Sequence, residues 1–233
     1  MRLRFRLVPL ALVALTFAGT AAAQSNAREW DVWMGPQFVT SQSLGAFRGA
    51  SPHVGFGPGF ALTLRHEPQR VAARFDIGLV SHDGRKETAL TDDGFGGLES
   101  HELRPQTRLS WAAIGVQYER PWGDGANYAF ASVGVGGTRT EVDAFNQAAG
   151  YDPPGRPESN RGLAWAVGAG MRRRFGRART AAWTVELDWR RRENARYVGV
   201  PAFGTDANGS WYNTAESEIT TASLRLGLMF TRP

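Results

Sequence analysis

The chain has 233 residues, of which 42% are hydrophobic, 11% aromatic and 21% charged. This composition excludes a helical polytopic membrane protein, which needs several runs of about 20 apolar residues, and a disordered chain, which is poor in aromatic residues. The formal net charge is +5, and it falls to +2 without the three arginines near the N-terminus. A charge this small does not indicate binding to nucleic acid. The sequence has no cysteine, so disulfides, thiolate metal sites and cysteine nucleophiles are excluded.

The N-terminus has the three parts of an export signal. Its positive region is formed by Arg2, Arg4 and Arg6. Residues 7–19 are apolar apart from one threonine, and residues 21–23 are alanines of the kind that signal peptidase requires. The alternative is a membrane anchor, but the apolar run is too short to span a bilayer comfortably and Pro9 interrupts it. The sequence therefore predicts a signal peptide at 1–23 and an exported domain at 24–233.

Apolar residues alternate with polar or small residues through the rest of the chain, which is the pattern of β-strands with one apolar face. Most of the alternating segments exceed the length of about five or six residues that is usual in soluble proteins, and a tilted membrane-spanning strand needs about 9–11. The predicted strands are the eight segments 29–40, 54–65, 70–82, 103–120, 126–142, 161–175, 180–193 and 217–231.

The connections between these segments are alternately long and short. The long connections, 74 residues together, are 41–53, 83–102, 143–160 and 194–216. The short connections, rich in the proline and glycine typical of turns, are 66–69, 121–125 and 176–179. An up-and-down barrel with its short turns at one end has this pattern. The sequence therefore predicts an all-β fold, an eight-stranded antiparallel up-and-down transmembrane β-barrel over 24–233, with both chain ends at the short-turn end.

The polar faces of the segments distinguish a membrane barrel from the alternative, a lipocalin-like soluble barrel with an apolar interior. The apolar face of 180–193 is formed by Trp183, Val185, Leu187 and Trp189, and its polar face by Thr184, Glu186, Asp188 and Arg190. Several polar faces combine glycines with charges of both signs, which suits a narrow interior filled by ion pairs. The aromatic pairs that bracket a lipid band of about 25 Å are Trp30 and Phe38, Trp165 and Phe175, and Trp183 and Trp189. These features favour the membrane barrel.

The C-terminal segment 223–230, SLRLGLMF, alternates apolar residues up to a final aromatic. It resembles the C-terminal assembly signal of the eight-stranded outer-membrane β-barrels of Gram-negative bacteria, the OmpA/OmpX-like superfamily, although three residues follow the aromatic here. The resemblance covers the mature chain as a pattern. It implies an integral protein of the cell outer membrane, with outer-membrane lipid, lipopolysaccharide and the barrel assembly machinery as partners.

Few residues suggest chemistry. A metal site needs three or four converging ligands, and the spacing of the four histidines, His53, His66, His82 and His101, does not enforce this. The run 81–83 (Ser-His-Asp) has the residue types of an acyl hydrolase, but neighbours on a strand face opposite sides. The His-x-Ser spacing of lipid A deacylases is absent. These observations favour solvated histidines and no catalytic site.

Two charged sets have alternative interpretations. In the connection 83–102, Asp92 and Asp93 with His101 suggest an outer-membrane aspartyl-type protease. The same connection could bind a divalent cation weakly through its six acidic residues, Asp83, Glu87, Asp92, Asp93, Glu99 and Glu102. Those proteases are larger barrels, and a solvated acidic loop is favoured. The charged residues assigned to the interior could line an ion path, but eight strands leave a lumen just wide enough for side chains. A plug of ion pairs is therefore favoured over a path.

Two detailed contacts are also predicted. In the first hairpin, Pro36 is expected opposite Pro58, so that both missing N–H groups lie at the same position along the barrel axis. In the interior, Glu186 and Asp188 are expected to meet arginines of the neighbouring strands, namely Arg172, Arg174 and Arg225.

The sequence thus predicts an integral outer-membrane β-barrel with a structural or surface-interaction role, carried by four long extracellular loops. It assigns no enzyme activity, no cofactor and no catalytic, cofactor-binding or metal-binding residue. The partners expected beside membrane lipid are a surface ligand of the loops and no nucleic acid. The alternatives are a lipid-modifying enzyme similar to lipid A deacylases and a small-solute channel.

Overall fold

A computed structural model describes residues 30–92, 98–144, 158–206 and 209–231, so the predicted leader at 1–23 lies outside the described residues. In this part of the chain no helix is both long and apolar enough to cross a bilayer. The elements are β1 (Trp30–Leu44), α1 (Phe47–Ala50), β2 (Gly55–His66), β3 (Val71–Asp83), β4 (Glu87–Asp92), β5 (Leu98–Trp122), β6 (Gly125–Ala144), β7 (Glu158–Phe175), β8 (Ala181–Asp206) and β9 (Gly209–Phe230).

Eight strands form a closed antiparallel ring. Going round the ring, the order is β3, β2, β1, β9, β8, β7, β6 and β5, and β3 pairs with β5 to close it. The ninth strand, β4, extends the sheet at one end by pairing with the start of β5. The predicted eight-stranded up-and-down barrel is therefore confirmed.

The short turns lie together at one end of the barrel, as predicted. They join β2 to β3, β5 to β6 and β7 to β8, and this end also contains the start of β1 and the end of β9, since Trp30 pairs with His66 and Phe230 pairs with Ala181. We call it the turn end and the opposite end the outer end.

The predicted loop 194–216 is wrong, because most of it is strand. β8 and β9 remain paired as far as Asp206 and Gly209, and the predicted loop 83–102 likewise contains β4 and the start of β5. The alternation breaks at two register shifts between β8 and β9, one of them next to Asn194, which has a φ of 50°. A bulge of this kind moves later side chains to the other face, so the period of two no longer marks the strand.

The outer surface of the ring is apolar and its interior is polar. On β9, Leu224, Leu226 and Leu228 are exposed while Arg225 between them is 1% exposed. Ile114 and Leu187 are 67% and 64% exposed on other strands. Large exposed aliphatic side chains in a continuous band have no partner in water, whereas they match lipid chains. This arrangement confirms the membrane barrel and rejects the lipocalin-like alternative.

The predicted register of the first hairpin is wrong by two residues. Pro36 pairs with Phe60, and Pro58 pairs with Phe38, within an unbroken β1–β2 ladder. The gaps lie on the other sides of the hairpin: β1–β9 pairing skips Pro36, and β2–β3 pairing skips Pro58. Each proline therefore directs its missing N–H away from its hairpin partner, which preserves the hairpin ladder and distributes the two gaps over separate ladders.

Candidate functional site

A network of buried ion pairs fills the middle of the lumen. Arg74 donates from Nε and Nη2 to the two carboxylate oxygens of Asp76 at 2.8 Å each, and from Nη2 to Glu186 Oε2 at 2.7 Å. Arg225 donates from Nη1 to Asp76 Oδ1 at 2.9 Å and forms a close ion pair with Asp188. Two arginines thus join three carboxylates across the barrel.

The partners of Glu186 differ in part from those predicted. The predicted contact with Arg225 is confirmed, since Arg225 pairs with Asp188 and lies 3.9 Å from Glu186. The main partner of Glu186, however, is Arg74 of β3, on the far side of the lumen, and the phenol of Tyr128 donates to Glu186 at 2.8 Å. The residue beside Glu186 on β7 is Gly170, where a Cβ would lie 2.9 Å from both Glu186 and Tyr128. The glycine makes the room through which these side chains cross the lumen.

A second layer lies nearer the turn end. Glu119 accepts hydrogen bonds from Arg172 at 2.8 Å and from Gln117 at 2.7 Å, and Gln117 in turn accepts from Arg74 at 2.7 Å, which connects the two layers. The Arg172 guanidinium also lies over the ring of Trp33, 4.6 Å from its centroid. The predicted contact of Arg172 with Glu186 or Asp188 is therefore wrong.

Arg174, the other predicted partner of those carboxylates, is exposed, so its predicted contact is also wrong. Its guanidinium lies 5.2 Å from the centroid of the Trp33 ring, at the turn-end opening. Arg172 and Arg174 both lie too close to the turn end to reach the middle of the lumen.

The outer end of the lumen is covered by an aromatic cluster around α1. Phe47 of α1 is fully buried, with its ring edge-on to His82 at 5.6 Å and to Tyr197 at 5.1 Å between centroids. The Tyr197 hydroxyl is 2.8 Å from Ser217 Oγ. The short helix thus holds the first outer connection against β3 and β8.

The three residues of the predicted Ser-His-Asp run do not converge. His82 faces the lumen, while Ser81 and Asp83 face outward, and Asp83 accepts a hydrogen bond from Arg104 at 2.7 Å. The structure instead brings Ser43 Oγ within 3.2 Å of His82 Nδ1. Both residues lie inside because β1 continues to Leu44, beyond the predicted end of the first strand at residue 40, so the sequence analysis did not bring Ser43 and His82 together.

The Ser43–His82 pair lacks the geometry of a nucleophile and its base. The His53 carbonyl oxygen is 3.4 Å from the same Nδ1, and Nε2 has no partner among the described residues, so no acid orients the ring. Both side chains have 0% exposure, which leaves a substrate no access. The pair is a buried contact between two strands.

The other residues considered from the sequence do not converge with these. His53 is exposed, and His66 at the turn end packs against Trp30 with ring centroids 5.1 Å apart. The side chains of Asp92, Asp93 and His101 lie outside the described residues. Among the residues that the structure does describe, no group of three or more potential ligands could hold a metal ion.

Outside the barrel, three arginines lie just beyond the apolar band at the outer end. Arg108 of β5 is directly opposite Arg139 of β6, and both guanidiniums share Glu141, at 3.3 Å and 2.7 Å. The third, Arg161 of β7, is exposed and pairs with Gly137, two residues before Arg139 on β6. Like charges directly opposite on a sheet repel each other. We call Arg108, Arg139 and Arg161 the outer arginine patch.

No family model and no curated protein matches the sequence. Solved structures do match. The chain is similar to a major outer membrane protein of Thermus thermophilus, at 12% identity and a TM-score of 0.51, over 86% of this chain and 99% of that one. The fold is that of an outer-membrane β-barrel.

Two further solved structures match at lower TM-scores. The attachment invasion locus protein Ail of Yersinia pestis is 9% identical with a TM-score of 0.45, over 88% of this chain and 98% of that one. The outer membrane protease OmpT of Escherichia coli is 14% identical with a TM-score of 0.41, over 88% and 96%. Because the identities are low, these similarities concern the fold, and the absence of enzyme activity in this chain stays a prediction.

Proposed function

We propose that this protein is a closed outer-membrane barrel with a structural role, which contacts the phosphate-rich headgroups of lipopolysaccharide through the outer arginine patch and presents its outer segments to surface ligands. The observation that carries the proposal is the contrast between the two sets of arginines. The interior arginines of the two central layers are bound to carboxylates, whereas in the patch Arg108 and Arg139 share the single carboxylate of Glu141.

The position of the patch supports an anionic lipid as partner. The same outward faces continue towards the turn end into the apolar band, through Ser110 and Gly137 to Val135 and Ile114, and on β7 directly to Leu163. Ile114, Val135 and Leu163 are each more than half exposed. A lipid with its headgroup at the patch would therefore extend its chains along aliphatic side chains. Arginine binds phosphate oxygens in a bidentate manner, and a phosphate between Arg108 and Arg139 would relieve their repulsion. The outer segments of β8 and β9 supply the surface for a further ligand.

The test is retention of lipopolysaccharide by the purified barrel. We expect the double variant Arg108→Gln and Arg139→Gln to retain several-fold less lipopolysaccharide after extraction in mild detergent than the wild type. The matched control is Arg173→Gln, which removes an arginine at the turn end, where its guanidinium lies 3.9 Å from the Trp122 ring centroid. Equal retention by the double variant and the control would contradict the proposal.

The alternatives have less support. A small-solute channel needs a continuous water path, and the ion pairs of Arg74 and Arg225 cross the lumen where that path would run. A lipid-modifying enzyme needs an accessible nucleophile, and Ser43 is buried beneath α1. The surface-ligand role of the outer segments would be tested separately, by comparing capture of cell-surface glycans by the intact barrel and by a variant shortened at residues 199–214.

A further inference from the structure

Arg190 is a buried arginine of the lumen that forms no ion pair with a carboxylate among the described residues. It lies on β8, two residues beyond Asp188 towards the outer end, and is 8% exposed. Neither Nη1 nor Nη2 has a hydrogen-bond partner among the described residues. Its guanidinium lies over the ring of Trp111, 4.3 Å from the centroid, which provides an attractive contact but no acceptor.

The nearby carboxylates form ion pairs with other arginines. Asp76 binds both Arg74 and Arg225. Asp188 forms its close ion pair with Arg225, although neither of its oxygens has a hydrogen-bond partner among the described residues. The buried charges in the described lumen are five arginines, Arg74, Arg172, Arg190, Arg192 and Arg225, and four carboxylates, Asp76, Glu119, Glu186 and Asp188. One positive charge is therefore in excess, and a buried charge without a partner is costly.

A cavity of about 20 Å³ adjoins this guanidinium. Residues that contribute polar groups to its lining are Arg190, Arg192, Trp111, Ser41, Thr221 and Ser223. The indole Nε1 of Trp111 is, like the Arg190 nitrogens, buried and unpartnered among the described residues. Ser223 Oγ donates to Ser41 Oγ at 3.2 Å, which leaves the Ser41 hydroxyl hydrogen available. The size is right for a single particle comparable to a water molecule.

The charge of the lining favours an anion over water. The guanidinium and indole N–H groups are donors without acceptor capacity, and the acceptors that a water molecule would need are neutral hydroxyl groups such as those of Ser41 and Thr221. Arg192 uses its donors on neutral oxygens, including the Gly136 carbonyl at 3.0 Å, so no carboxylate neutralises it either. A halide accepts from every side, carries the missing negative charge and has the small volume that the cavity allows.

We propose that this cavity binds one small monovalent anion, chloride under ordinary conditions, with Arg190 as its principal ligand. The anion would complete the charge balance of the lumen and lock β8 against β5 and β9 near the outer end. Phosphate and sulfate are too large for the cavity.

Two measurements on the refolded full-length mature barrel in detergent test this site. The first is urea unfolding at constant ionic strength, with sodium chloride or bromide replacing sodium gluconate. We expect the unfolding midpoint to rise with halide concentration and then saturate, as occupation of a single site requires. Arg190→Gln should abolish the halide effect, and Arg191→Gln, which changes the outward-facing neighbour that pairs with Glu218, should retain it.

The second measurement is anomalous scattering from crystals grown in bromide, which should place one bromide within hydrogen-bond distance of Arg190. Should Arg190→Gln fail to fold, the halide series and the bromide position in the wild type still decide the question. A halide effect that is linear without saturation, together with a water molecule in the cavity or Arg190 turned onto Asp188, would overturn the proposal. Bromide in the crystal without a saturating effect in solution would mean an adventitious ion only.

Discussion

Removal of the Glu186 carboxylate is the most direct test of the closed lumen. Glu186 is 1% exposed, accepts two hydrogen bonds from Arg74, at 2.7 Å and 3.2 Å, and accepts one from the Tyr128 hydroxyl at 2.8 Å. In Glu186→Ala, Asp76 and Gln117 still bind Arg74, but the positive excess of the lumen increases by one charge. The Tyr128 hydroxyl is also left without an acceptor.

The expected loss is large. Breaking a buried ion pair by removal of one partner costs about 3–5 kcal/mol. Arg74 keeps Asp76, which reduces the loss, while the orphaned Tyr128 hydroxyl adds about 1–3 kcal/mol. We therefore expect the free energy of unfolding to fall by about 4 kcal/mol. At a urea slope of about 2–3 kcal/mol/M, this lowers the unfolding midpoint by about 1–2 M.

Tryptophan fluorescence of the refolded barrel in detergent gives the assay, with urea as denaturant. Glu216→Ala is the control, because Glu216 and its partner Arg196 are each 55% exposed and 3.2 Å apart. Such an exposed pair contributes about 0–1 kcal/mol. If Glu186→Ala shifts the midpoint no further than Glu216→Ala does, the lumen is hydrated well enough to solvate Arg74, and the closed interior is refuted.

Three other outcomes are expected. Planar-bilayer recordings of the wild type should show no steady conductance, while Arg74→Ala combined with Glu186→Ala should produce a small one; a steady wild-type current would contradict the plug. His82→Ala should remove the contact that holds α1 and increase cleavage of the 45–54 connection by added protease several-fold, whereas unchanged cleavage would mean that α1 is held by other contacts. Phe230→Ala should slow membrane insertion, whereas deletion of 231–233 should leave the insertion rate unchanged, because Phe230 ends the lipid-facing row of β9. The insertion rate is measured by the heat-dependent shift of the folded barrel in gel mobility.

The alternation of apolar and polar residues predicts which side chains are inside the barrel, but not their position along the barrel axis. The faces of β8 were predicted correctly because each strand residue must point either to lipid or to lumen. The first hairpin was placed wrongly because a shift of two residues keeps every side chain on its face. The missing N–H of Pro36 points towards β9 and not towards β2, so the two prolines do not fix the register of the hairpin.

The partners of the buried charges could be predicted only in part, for the same reason. Glu186 and Arg74 are 112 residues apart, and their contact requires both a closed ring and the correct height of every strand between them. Sequence reasoning favoured arginines on adjacent strands, which is right for Arg225 of β9, whereas on β7 Gly170 stands beside Glu186. The lack of a counter-charge at Arg190 follows only once all the other pairs are assigned.

Arginine suits the way the lumen is closed better than lysine does. Among 27 basic residues the chain has a single lysine, Lys86. Arg74 and Arg225 each contact two carboxylates, and Arg74 also lies over the ring of Phe130, 3.9 Å from its centroid. A planar guanidinium can donate along its edge to two acceptors while its face covers a ring, whereas an ammonium group is a point charge that is more strongly hydrated. A lumen this narrow therefore selects arginine, and the same side chain on the outer surface provides the geometry that phosphate requires.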